Sequence, residues 1–194
     1  MLFLKENSYE VVRLLLFQFA MAVFGIVLIF ATRMATDGAF TWLTLLASIL
    51  AVLLYMYVLY ATMQDLGAKD KIRVESGRVP ADKRRGLKIM LFAQVPNFVV
   101  LFLMLLGYLL IYVFGAKVVG TNIFGITHIL MYFMQSMYDG IIGMLTDSEP
   151  TNINCLKITL MYIVSVVPGI LVCWGSYNLG LKDKKLFALA KKDD

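Results

Sequence analysis

Val118–Tyr138 reads VVGTNIFGITHILMYFMQSMY, and Asp139 follows it directly. The run holds no Asp, Glu, Lys or Arg and is long enough to span, yet it carries His128, Gln135 and Ser136. Whether it crosses a bilayer decides the topology of everything around it. Four other uncharged runs are less ambiguous: Leu14–Thr32, Gly38–Gln64, Ile89–Ala116 and Ile158–Leu181. At ~1.5 Å per residue, each is long enough for a hydrocarbon layer of ~30 Å.

The basic residues arbitrate. If the fifth run turns back, three groups share one side: Lys5 and Arg13; the eight Lys and Arg from Lys69 to Lys88; and the tail's Lys182, Lys184, Lys185, Lys191 and Lys192. That puts fifteen of the eighteen on one face, leaving only Arg33, Lys117 and Lys157 opposite. If it crosses, the split is eleven against seven. The positive-inside rule prefers the first arrangement, with both termini cytoplasmic. Asp139 near the run's end adds an insertion penalty in the same direction. TDSEPTNIN (Thr146–Asn154) is acidic, rich in turn formers and free of Lys and Arg, as an extracytoplasmic loop would be.

Composition agrees. Of 194 residues, 60% are hydrophobic and 16% charged, and mean hydropathy is +0.79, whereas about 25% of a soluble domain is charged. Such a chain needs lipid. The expected fold is all-α: a polytopic helical membrane bundle of four spans plus one amphipathic interfacial or re-entrant helix, with five spans as the second arrangement. One integral membrane domain fills residues 1–194. Its spans are near 14–33, 40–64, 88–115 and 157–180, joined by a cytoplasmic loop 65–87 and an extracytoplasmic segment 116–156. The first run is longer than the core of a cleavable signal and lacks an Ala-x-Ala exit, so it reads as a retained span in a plasma (bacterial inner) membrane. Leu2, Phe3, Tyr9 and Val12 suggest a short interfacial helix before it.

The net charge of +5 sits in segments flanking apolar runs, which points to lipid headgroups rather than nucleic acid. Cys155, in a polar stretch, and Cys173, deep in an apolar one, form neither a disulfide framework nor a four-ligand zinc site. Trp42, Tyr108, Tyr112 and Tyr162 fall where an outer aromatic belt would lie, and Tyr57, Tyr60, Trp174 and Tyr177 where an inner one would. DLGAKDK (Asp65–Lys71) and NLGLKDK (Asn178–Lys184) repeat one pattern. A glycine followed by lysines is ordinary helix C-cap chemistry, so both spans should end on the same side.

Three groups of residues could carry function. In a continuous helix over 121–145, His128, Tyr132, Gln135 and Asp139 form one polar stripe opposite Ile129, Met131, Phe133, Met134 and Met137. The stripe either lies at the interface, forms a buried seam or lines a solute or proton path. His128 and Asp139 stand roughly 16 Å apart along such a helix and cannot pair directly. Gln94, Pro96 and Asn97 in the third span, and Ser165 and Pro168 in the last, are candidate helix breaks whose freed carbonyls sit inside the membrane. In span two, Ala47 and Ala51 form a small-xxx-small pair. Arg73, Arg78, Lys83, Arg84 and Arg85 in the central loop are candidate docking residues for a membrane or cytoplasmic protein, with Asp70, Glu75 and Asp82 setting register.

No nucleophile, metalloprotease or phosphate-loop motif is present, and no two carboxylates share a span. The sequence therefore implies a non-enzymatic membrane protein without cofactor or metal. It reads as an accessory or substrate-binding subunit of a transport assembly, or alternatively as a stand-alone small carrier or channel built on the 121–145 stripe.

Overall fold

A computed structural model describes residues 2–37, 42–78, 80, 82–146 and 151–182. Lys184, Lys185, Lys191 and Lys192 of the tail, Val79 and Ala81 of the central turn, Asp147, Ser148, Glu149 and Pro150 of the acidic loop, and the side chain of Leu2 lie outside the described residues. The described chain is all-α. Its helices are α1 (Leu2–Met34), α2 (Trp42–Glu75), α3 (Arg85–Ala93), α4 (Val95–Tyr112), α5 (Lys117–Met134), α6 (Asp139–Leu145) and α7 (Asn152–Leu181), with a 3-10 turn at Ser136–Tyr138. Four of them, α1, α2, α4 and α7, are long and apolar enough to cross a membrane. Phe30, Leu50, Phe102 and Val164 all point outward with more than half their surface exposed. Water would penalise such a shell; hydrocarbon does not.

Close glycine contacts fix the directions of the helices. Gly67 of α2 meets the Tyr177 carbonyl and the Gly180 Cα of α7, while Gly169 lies opposite Leu59. Residue numbers rise together along the seam, so α2 and α7 run parallel and finish at one end of the bundle. The two glycines that face each other are those of the DLGAKDK and NLGLKDK segments. Gly67, however, does not cap a helix: α2 continues to Glu75. Its cap is Gly77 at φ 71°, where the N–H groups of Gly77 and Arg78 donate to the carbonyls of Val74 and Arg73 at 3.0 Å. In the echoed segment, glycine instead serves close backbone approach.

The decisive stretch is neither a span nor a surface helix. Gly107 of α4 abuts Phe124, and Gly120 abuts Ile111, so α5 returns antiparallel along α4. Its outer face exposes Val118, Ile126 and Ile129, which fits lipid rather than an aqueous interface. Helix α5 stops at Gln135, whose φ of −115° is non-helical. The 3-10 turn then packs on the middle of α1, where the Ser136 hydroxyl donates to the Ala22 carbonyl. Helix α6 climbs back along α2, with the Gly140 N–H donating to Ser48 Oγ at 2.9 Å. Segment 117–145 is thus a re-entrant hairpin that enters and leaves at the far end, where Tyr112 of α4 donates to Cys155 Sγ of α7 at 3.7 Å.

Other expectations shift. The first thirteen residues form no separate interfacial helix, because α1 runs unbroken from Leu2; Phe3 stacks on Phe92 with ring centroids 5.7 Å apart. Cys155 lies on α7 and is buried rather than in a loop. Tyr162 and Tyr177 are each 1% exposed and belong to polar clusters, not to aromatic belts. Ala47 and Ala51 are buried, as close packing of α2 requires.

This arrangement predicts opposite accessibility for Ser76, at the end shared by α2 and α7, and Lys117, at the start of the hairpin. With Cys155 and Cys173 replaced by alanine, an impermeant thiol reagent should label Ser76→Cys and Lys117→Cys from opposite faces of sealed vesicles. Labelling of both from one face would refute the four-span arrangement.

Candidate functional site

At the end where α2 and α7 finish, four helices converge on one carboxylate. Asp70 sits on the inward face of α2 and is 4% exposed. Arg85, at the start of α3, donates from Nη1 to Asp70 Oδ2 at 2.6 Å, and the Tyr177 hydroxyl of α7 donates to the same oxygen at 2.8 Å. Arg85 Nε donates to Asn7 Oδ1 of α1 at 2.9 Å, while Asn7 Nδ2 donates to the Phe3 carbonyl. A buried charge persists only when paired and hydrogen-bonded; both conditions hold at Oδ2, while Oδ1 has no hydrogen-bond partner among the described residues and faces Arg73 at 3.7 Å. Above this floor opens a cavity of about 530 Å³, with Glu6, Arg73, Pro80 and Asp82 among its lining.

The five docking candidates separate at this point. Arg78, Lys83 and Arg84 are exposed, and Arg73 is half exposed, 3.7 Å from Asp70 Oδ1. Arg85 is not a surface residue: its side chain is 18% exposed and committed to Asp70. Asp70 likewise sets no docking register, because it lies beneath the surface. Asp82 stays at the rim; the Lys88 ammonium donating to it at 2.8 Å, with the Arg84 N–H at 2.9 Å, holds its carboxyl below the ordinary value.

A second polar cluster lies in the far half of the bundle. No known protein family, curated protein or solved structure matches the chain. The clusters must be read from their own geometry. The bend at Gln135 breaks the predicted stripe, so His128, Tyr132, Gln135 and Asp139 do not share one helix face. Tyr162 of α7 restores the connection. Its hydroxyl reaches Asp139 Oδ1 at 3.5 Å and its ring meets the His128 ring edge-on, with centroids 6.1 Å apart. The guanidinium of Arg33, near the end of α1, acts electrostatically on both Asp139 and Tyr132. Gln135 is buried within the turn.

The helix-break residues divide as well. Gln94 is the junction between α3 and α4, Pro96 lies in the first turn of α4, and Asn97 Nδ2 donates to Gln94 Oε1. The Gln94 N–H bonds the carbonyls of Met90 and Phe92, so the break satisfies its own backbone. Pro168 makes no break, since α7 runs through it, and the Ser165 hydroxyl donates to the Tyr162 carbonyl at 2.8 Å. Among the described residues no three His, Cys, Asp or Glu side chains gather as metal ligands.

Sequence reasoning missed Asp70 and Asn7 as hub residues and placed Tyr162 and Tyr177 in belts. One signal was available: α2 stays helical past its uncharged run, and i, i+3, i+4 spacing from Leu66 places Asp70 on the buried face with Met63 and Gly67.

Proposed function

We propose that this four-span membrane protein is a non-enzymatic accessory subunit of a membrane transport assembly, oriented with its basic end in the cytoplasm. The supporting observation is the contrast between buried and exposed charge at that end. Arg85 and Asp70 neutralise each other inside, while Arg73 stands exposed at the cavity and Arg78, Lys83 and Arg84 are exposed in the turn between α2 and α3. Lys69–Asp65 and Lys88–Asp82 pair locally at 2.7 and 2.8 Å, so the rim's excess charge is cationic. A helix end and turn with exposed arginines suit the acidic face of a cytoplasmic protein, since charged rims steer association and choose partners. The same basic residues favour the cytoplasmic side by the positive-inside rule.

Co-purification from native membranes tests the reading. Wild type should retain its cytoplasmic partner at low salt and lose it progressively as ionic strength rises. The Arg78→Glu/Arg84→Glu chain should purify without that partner while keeping its own thermal stability, because neither side chain supports the fold. Arg85 is left unchanged, since altering it would confuse docking with folding. Wild type that purifies alone at low salt, or a double variant that keeps the partner, would refute the proposal.

A further inference from the structure

Docking at the basic end leaves a buried carboxyl without a role. Asp139 is 3% exposed, opens α6 in the re-entrant segment, and bonds Tyr162 through only one oxygen, at 3.5 Å. Its other oxygen, Oδ2, is buried without a hydrogen-bond partner among the described residues, as are Thr44 Oγ1 and the Tyr138 hydroxyl. Thr44 belongs to the same neighbourhood, since Gly140 packs on the Thr44 carbonyl and Ser48, whereas the Tyr138 hydroxyl interacts with Tyr55 of α2. A carboxyl inside a membrane is costly and is kept where it serves a path or a switch.

We infer that Asp139 is a proton-exchange site within the bundle, a carboxyl that takes up and releases a proton among hydroxyls able to serve either state. Every neighbouring element contributes. Helix α1 brings Arg33, α5 brings Tyr132 and His128, and α7 brings Tyr162; α2 adds the neutral Thr44 and Ser48, and its Tyr55 faces Tyr138 of the 3-10 turn. When the carboxyl is ionised, Arg33 balances its charge and Tyr162 donates to Oδ1. When it is protonated, its new O–H needs an acceptor, and a hydroxyl oxygen such as that of Thr44 both donates and accepts. The ligand is therefore the proton itself. Arg33 at the same site disfavours a metal cation. The inference does not depend on the docking surface.

The probe is dicyclohexylcarbodiimide, an apolar reagent that partitions into lipid and reacts with the protonated acid. The carboxyl proton passes to one carbodiimide nitrogen and the carboxyl oxygen adds to the central carbon; acyl migration to nitrogen then gives a stable N-acylurea. Protein in liposomes should acquire this adduct at Asp139, detected by peptide mass spectrometry, in a fraction that falls as pH rises. The Asp139→Asn chain should acquire none there. Arg33→Gln, which removes the balancing charge, should carry the labelling to higher pH. A folded wild type that stays unlabelled across the pH range, or labels equally at every pH, would make Asp139 a fixed structural partner and overturn the inference.

Discussion

An Asp70→Ala chain is expected to unfold on the order of 10 °C below wild type in detergent, while Asp65→Ala melts within a degree or two of it. The two carboxylates make ion pairs of nearly equal length, 2.6 Å to Arg85 and 2.7 Å to Lys69. What separates them is water. Asp65 and Lys69 have side chains 54% and 63% exposed, and exposed pairs contribute about 0.2–1 kcal/mol. Asp70 and Arg85 are 6% and 18% exposed, so removing the carboxylate leaves a guanidinium facing a buried wall. Breaking a buried pair in this way costs about 3–5 kcal/mol, or about 2–4 °C per kcal/mol for a chain of this size. The Tyr177 hydroxyl loses its acceptor as well, whereas Tyr177→Phe alone should cost about 1 kcal/mol. Reactivity of the buried thiol of Cys173, 0% exposed, reports the transition. Equal melting of the Asp70 and Asp65 variants would deny the hub.

Hydrophobic runs and the distribution of basic residues gave four spans, with the start of α1 and the ends of α2 and α7 at one end of the bundle, because lipid imposes length and charge rules that act on composition alone. The fifth run was harder. Its mean apolarity resembles a span, and the feature that turns it back is the 3-10 bend after Gln135, held by Ser136 on the Ala22 carbonyl and by Met137 against Gly25. Those contacts join residues more than a hundred positions apart, so no local window carries them. Polar sites failed for the same reason. Tyr162 and Tyr177 lie near opposite ends of one apolar span, where a belt tyrosine and a buried tyrosine look alike until the opposing Asp139 or Asp70 is known. Arg85 stood among seven other basic residues, and only tertiary packing, with Gly86 against the Tyr177 ring and Arg85 on Asp70, distinguishes it from Arg84.

The seam between α2 and α7 yields a test in which one chemical change has opposite signs at two glycines of α7's neighbourhood. By helix propensity alone, any interior Gly→Ala change should stabilise by about 1 kcal/mol. Gly175→Ala should do so, since a Cβ there meets nothing within 4 Å. Gly67→Ala should instead destabilise by about 1–3 kcal/mol, because its Cβ would collide with the Tyr177 carbonyl and sit 3.1 Å from Gly180 Cα. The obstacle is backbone and cannot rotate away. Gly67→Leu should go further, forcing the two helices apart where Tyr177 reaches Asp70, so that the α2–α7 contact and the buried ion pair fail together. Thiol exposure of Cys173 on heating should rank Gly175→Ala above wild type, wild type above Gly67→Ala, and Gly67→Leu last. If Gly67→Ala proves as stable as Gly175→Ala, the helices do not touch there, and the shared glycine of the two echoed segments has some other cause than the parallel crossing.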